Sequence, residues 1–293
     1  MSTALMLAAT TALSAQVMPS SSRAAKTFGS NVTGAFEGWY DNQDGTHSFL
    51  VGYYNRNTKQ ELDVPIGPNN RIEMVGTDNK PSGGPDMGQP THFLAGRRVG
   101  MFTVTVPKEF TPQQKLVWTI VVNGETSVIP LRLNIDYNVS PFKDITVNNV
   151  PPTVNFTEAG PAFTGPSAQL GKAIRMNASV SAPLTLPVWA ADDAVYSSGT
   201  NAPMRNPPPP VSLHWSKYRG TGEVTFDKAE PTLEVLKGGK VGEPFSGKAV
   251  STAKFSEPGE YVLHLVANDF SGFGGGGEVC CWTTAMIRVN VTP

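Results

Sequence analysis

Short-range alternation is the clearest pattern in the chain. In MFTVTVP (101–107), Phe102, Val104 and Val106 fall on one side and Thr103 and Thr105 on the other. That is the period-2 signature of a strand with one buried face. LVWTIVV (116–122) and SVIPLRL (127–133) are rich in β-branched and aromatic residues, and Asn123-Gly124 lies between them. Both turn residues tolerate the positive φ of a type I′ turn, so a hairpin is predicted. FEGWY (36–40) and HSFLVGYYNRN (47–57) read as two further strands around DNQDGT (41–46). Asp, Asn and Gly there favour local backbone bonds and left-handed geometry, which predicts a tight turn.

Punctuation supports strands over long helices. The 293 residues contain 29 Gly and 25 Pro, spread so that they cut the chain into short segments. The length suits two domains, each large enough to bury a core. PFKDITVNNVPPT (141–153) breaks the strand pattern and marks a boundary. The expectation is an all-β protein with two β-sandwich modules in tandem. They span residues 28–140 and 154–293, follow a leader (1–15) and a polar linker (16–27), and are joined by 141–153. Residues 63–98, dense in Gly, Pro and Asn, read as a long irregular excursion, a kind of loop that often carries function.

Address and charge narrow the function. Ala4 to Leu13 is an uncharged apolar run of signal-peptide length, and ALSA before Gln16 offers a cleavage point after Ala15. No Lys or Arg precedes that run. No other apolar run approaches the roughly 18 residues of a spanning helix. The formal net charge is −1 with no basic block, which argues against a nucleic-acid partner. Five Asn-x-Ser/Thr matches, at Asn31, Asn138, Asn155, Asn177 and Asn290, matter where the host glycosylates Asn.

In the second half, GKAIRMNASVSAP (171–183) reads as an early strand pair. SLHWSKYRGTGEVTFDKAEP (212–231) reads as a Trp-bearing strand with its successor, and FSEPGEYVLHLVANDFSG (255–272) leads to a last strand, AMIRVNV (285–291). This arrangement resembles an immunoglobulin-type sandwich of the PKD-like (polycystic kidney disease domain) group. HWSKYRG (214–220) stands where that family usually carries Trp-Asp-Phe-Gly-Asp-Gly. The Pro-Gly-x-Tyr turn sets Tyr261, Leu263 and Leu265 inward and Val262, His264 and Val266 outward. The resemblance implies scaffolding or adhesion outside the cell. In the first half, EGWY…DGT…GYYNRN…PIGPNN…GQPTHF resembles a pattern of uncharacterised exported bacterial proteins and implies no function.

Several residues are candidates for chemistry, each with a plainer reading beside it. Trp39, Tyr40, Phe49, Tyr53 and Tyr54 could form a sugar-stacking platform, yet Phe49, Val51 and Tyr53 alternate onto one face as a core does. Trp39, Tyr40 and Tyr54 are the ligand-binding candidates among them. DNQDG lacks the ligand spacing and the final glutamate of an EF-hand loop. Gly272 to Gly277 matches G-x-G-x-x-G, but the strand-like EVCCWTTAMIRVNV follows it where a dinucleotide site needs a helix. The four histidines form no HExxH, and GxSxG is missing. His264, outward on a strand, reads as solvated.

Cys280 and Cys281 are the only cysteines. Adjacent strand residues face opposite sides and a trans peptide holds their Cα atoms about 3.8 Å apart, so separate thiols are expected ahead of a vicinal disulfide. In an immunoglobulin-type sandwich, loops after the second and sixth strands share one end. That brings Asp192, Asp193, Asn268 and Asp269 together, with Asn148-Asn149 nearby, and such oxygens suit structural calcium or else cap strand ends. The long connection 190–210, with Pro207 to Pro210 in a row, and the glycine-rich one after Asp269 should lie at that end, against the first module, a ligand or Ca²⁺. The functional expectation is a non-catalytic extracellular or cell-surface scaffold or adhesion protein with a protein or glycan partner. The alternative is a secreted carbohydrate-active protein.

Overall fold

The computed structural model describes residues 26–195, 208–269 and 280–293, apart from positions 79, 83, 146, 239, 241 and 242. Those residues form nineteen strands and two short 3₁₀ turns, with no α-helix among them. The first half carries β1 (Val32–Asp41), β2 (His47–Asn55), β3 (Leu62–Asp63), β4 (Asn70–Val75), β5 (Pro81–Ser82), β6 (His92–Phe93), β7 (Gly96–Val106), β8 (Lys115–Val122) and β9 (Glu125–Leu131). The second carries β10 (Thr153–Asn155), β11 (Phe163–Thr164), β12 (Ile174–Ser179), β13 (Leu184–Asp192), β14 (Val211–Arg219), β15 (Val224–Phe226), β16 (Glu234–Lys237), β17 (Phe245–Phe255), β18 (Gly259–Asp269) and β19 (Trp282–Thr292).

In the first half, the sheet β1-β2-β7 packs on the sheet β5-β4-β8-β9. Phe49, Val51, Phe102, Ile72, Trp118 and Ile120 fill the space between them. The predicted hairpin is present: Asn123 (φ 52°) and Gly124 (φ 77°) both occupy the left-handed region between β8 and β9. DNQDG is the predicted turn. Asn42 N–H donates to Thr46 O at 2.8 Å, and Asp44 Oδ1 accepts from Thr46 N–H at 3.0 Å.

The excursion 63–98 is more regular than its composition suggested. NRIEMV (70–75) is β4, a full partner of β8, and the Gly and Pro flanking it hid that strand. The rest of the excursion is anchored by side chains. Asn70 Nδ2 donates to Val64 O and Pro90 O, while its Oδ1 accepts from Trp118 Nε1 at 3.0 Å.

In the second half, β11-β10-β13-β17-β15, with β16 also on β17, lies opposite β12-β19-β18-β14. Val154, Leu186, Val188, Trp215, Leu263 and Ile287 belong to the core between the two sheets. Tyr261, Leu263 and Leu265 face that core as predicted.

The opposite face of the same sheet departs from expectation. Val262, His264 and Val266 point away from the core, yet His264 is 0% exposed and the two valines are buried. The first half covers them. Val262, Met286 and Tyr218 join the core cluster of the first half, and Val266 packs with Leu50 and Trp282. His264 therefore is not solvated; its Nε2 lies 2.8 Å from Met101 O, the N–H donating to that carbonyl. Strands β18 and β19 are buried on both faces over most of their length.

Segment 141–153 is likewise engaged. The Phe142 ring meets Tyr40 edge-on at 5.2 Å, and Asn149 is buried.

Candidate functional site: the groove along the join

Strand β14 is the edge of its sheet, and its free side opens on a cavity of about 1000 Å³. Alternation along β14 sets Val211 and Leu213 toward the sandwich core, and Ser212, His214 and Ser216 toward the first half. The facing walls are Pro231–Leu233 and Val235 of the second half, and Leu94, Val99 and Met101 of the first. A smaller cavity of about 230 Å³ adjoins it, sharing Leu94, Arg98, His214 and Ser216.

Polar residues collect where the two cavities meet. Arg97 is committed: it pairs with Glu37, which also accepts the Gly100 N–H. Burial raises the Glu37 pKa, against the pull of Arg97 and the Gly100 N–H. Arg98 is different. Its Nε is buried without a hydrogen-bond partner, and among the described residues it makes no salt bridge. Ser216 Oγ, Asn268 Oδ1 and Trp215 Nε1 are buried and unpartnered as well. His214 Nδ1 lies 3.2 Å from Glu230 Oε1.

Beside this end runs a charged network across the join. His92 sits between two carboxylates, Nδ1 2.9 Å from Asp63 and Nε2 3.0 Å from Glu61. Burial alone would lower the His92 pKa, but the bonds to Asp63 and Glu61 outweigh it and the net shift is upward. The bond from His92 holds Glu61 below the usual carboxylate range. Lys217 of the second half lies 3.3 Å from Asp63 and donates to Gly222 O. Arg219 grips Asp86 with both terminal nitrogens, at 2.9 and 2.8 Å. Tyr218 O–H donates to Gly88 O, and Thr91 N–H donates to Tyr218 O.

The predicted acidic residues do converge. Asn149 Nδ2 donates to Asp269 Oδ2 at 2.5 Å, and Asp193 Oδ2 accepts Val150 N–H at 3.2 Å. Asp192 Oδ2 accepts Ala194 N–H at 2.8 Å. These are strand-end caps that also tie down the connection between the halves. Burial first, and the charges of Asp193 and Asp269 in addition, push the Asp192 pKa up to about 7 against the Ala194 bond. Among the described residues no group of three His, Cys, Asp or Glu side chains is placed to hold a metal ion. Residues 196–207 and 270–279, which include most of the long proline-bearing connection and the G-x-G-x-x-G match, lie outside the described residues.

Trp39 and Tyr40 are buried, so neither offers a ring face to a sugar. Trp39 Nε1 donates to Asn134 O at 2.7 Å, and the Tyr40 hydroxyl donates to Pro166 O at 3.4 Å. Tyr54 is half-buried with the Arg56 guanidinium 5.0 Å over its ring. The cysteines are not separate thiols. Cys280 and Cys281 form a vicinal disulfide across a cis peptide, with Cα atoms 3.2 Å apart. The regular ladder starts only at Trp282, so strand alternation does not govern the pair. Cys281 O accepts Asp269 N–H at 3.4 Å, which sets the disulfide beside the acidic caps.

Sequence reading missed Arg98, Ser216 and the Glu61–His92–Asp63–Lys217 network. Arg97-Arg98 is a doublet in the sequence, but Glu37, the partner of Arg97, lies 60 positions away, and no spacing marks it or the wall that Arg98 faces.

No family model matches this chain, and no curated protein matches it. Among solved structures, a point mutant of CfaE, the adhesin of CFA/I enterotoxigenic E. coli, aligns over 93% of this chain and 88% of that one. The identity is 6% and the TM-score 0.24, a likeness too slight to carry an argument about function.

Proposed function

We propose that this protein is a non-catalytic scaffold or adhesion component outside the cell, with a protein or glycan as partner, and that its second half is an immunoglobulin-type sandwich. The strand order supports the second part. β10, β13, β17 and β15 follow the A-B-E-D order of such a sheet, and β14, β18 and β19 the C-F-G order opposite. A bonded cysteine pair is in keeping with an oxidising compartment outside the cytosol.

One observation carries the scaffold reading: the first half covers the outer face of β14, β18 and β19. Modules joined by a free tether swing, whereas a sheet packed on both faces holds them at a set angle. That stiffness suits an element presenting or spacing a binding surface. The burial of Trp39 and Tyr40 weighs against the carbohydrate-active alternative. The full chain, probed against immobilised extracellular proteins and glycans, should bind saturably and should keep that binding in Tyr54→Ala. Turnover of a polysaccharide or ester by the purified chain would overturn the reading.

A further inference from the structure

The cavity at the join has a polar end and an apolar body. At the polar end stand Arg98, His214 and Ser216, shared with the smaller cavity. Away from it Leu233, Val235, Phe245 and prolines form most of the wall, with Ser212 and Thr232 among them. Its volume is that of a site for a small organic molecule, and the pattern of apolar walls with a few polar groups at one end is the one such sites show.

Arg98 decides the chemistry. A guanidinium with a buried, unpartnered Nε is costly, and although the Glu61 carboxylate is near enough to feel the Arg98 charge, it makes no hydrogen bond to it. Glu61 is bonded to His92, and Glu37 to Arg97 and Gly100. Glu230 lies beside His214 on the same wall, so one added negative charge is tolerated there more readily than two. A carboxylate meets Arg in a two-pronged, charge-assisted contact, and Ser216 stands within the same lining to add an O–H.

We propose that this cavity binds an apolar molecule carrying one carboxylate, the carboxylate on Arg98 beside Ser216 and the apolar body along Leu233, Val235 and Phe245. This goes beyond the scaffold reading and stands apart from it, since it concerns a small ligand within the join.

The test uses the full chain and dansyl-undecanoate, whose fluorescence rises in an apolar site. The wild type should bind it saturably, and undecanoate should displace it while methyl undecanoate does not. Arg98→Gln should weaken binding at least ~tenfold, about 1.4 kcal/mol, and Arg98→Lys should restore part of the loss. Val235 is exposed, so Val235→Asp should keep the wild-type melting temperature and still weaken binding by placing a charge at the apolar end. Displacement by the ester as readily as by the acid overturns the carboxylate assignment. Wild-type affinity in Arg98→Gln, or in Val235→Asp, overturns the placement, as does the lack of saturable binding to the wild type.

Discussion

Two buried residues set opposing pH responses. His264 is buried and its pKa is lowered to about 4, chiefly by burial and against its bond to Met101 O. Its folded pKa lies below the unfolded value of 6.5, so the unfolded chain takes up the proton first. Stability is therefore intact above pH 6.5 and is lost as pH falls toward 4, by about 3 kcal/mol in all at ~1.4 kcal/mol per unit. Asp192 works the other way. Its folded pKa is raised to about 7, so the unfolded carboxyl ionises first. Stability falls as pH rises from about 4 to 7, and the loss is complete above 7. Thermal melts between pH 4 and 8 separate the two. Asp192→Asn should be more stable than wild type at pH 8, by up to about 4 kcal/mol, with the gain vanishing near pH 4. His264→Gln should flatten the acid side of the profile. An Asp192→Asn gain of equal size at both pH values would show that the carboxyl is not held neutral.

At the residue scale the sequence revealed which way side chains point but not what meets them. Alternation put His264 on the outer face correctly. Its burial depends on β7, some 160 positions away, and no local pattern encodes that. The same holds for Arg98, whose unpartnered Nε depends on where distant carboxylates are already hydrogen-bonded. Trp39 and Tyr40 could be read as core or platform, and only the neighbours at Asn134 and Pro166 decide for core.

At the element scale, turns and strands with strong local signals were legible. Asn123-Gly124 and DNQDG contain their own geometry in their residue types. β4 was not legible, because Gly and Pro around six residues mask a strand whose stability comes from pairing with β8. The Cys pair misled because alternation was applied one residue beyond the strand that obeys it. The disulfide closes almost no loop, so it takes little entropy from the unfolded chain. Reductant should accordingly lower the melting temperature only slightly, and collapse of the fold on reduction would contradict this. A larger effect is expected where β7 meets β19. Gly100 has φ +54°, and a Cβ there would lie 2.2 Å from Trp282 Cζ2. Gly100→Ala should cost about 2–3 kcal/mol through that overlap in a packed core, read as a lowered denaturant midpoint. Gly124→Ala, which meets no atom within 4 Å, should cost less and only through backbone strain.

At the scale of the whole molecule the central claim is that the two halves form one body. The sequence divided the chain near 141–153, whereas the core of the first half takes in Ala168, Tyr218, Val262 and Met286 from beyond that segment. What composition could not show is that β18 and β19 are buried on both faces through their middle and that β14 meets the first half as well. Their second face is closed by Met101, Leu50 and the excursion, and fastened by Arg219–Asp86, Tyr218–Gly88 and His264–Met101. Independent modules on a tether would melt separately, whereas halves that share a buried sheet face melt together. Differential scanning calorimetry of the chain without residues 1–25 measures this directly. The account predicts a single transition whose calorimetric and van't Hoff enthalpies agree. Two resolved transitions, or a calorimetric enthalpy near twice the van't Hoff value, would contradict it.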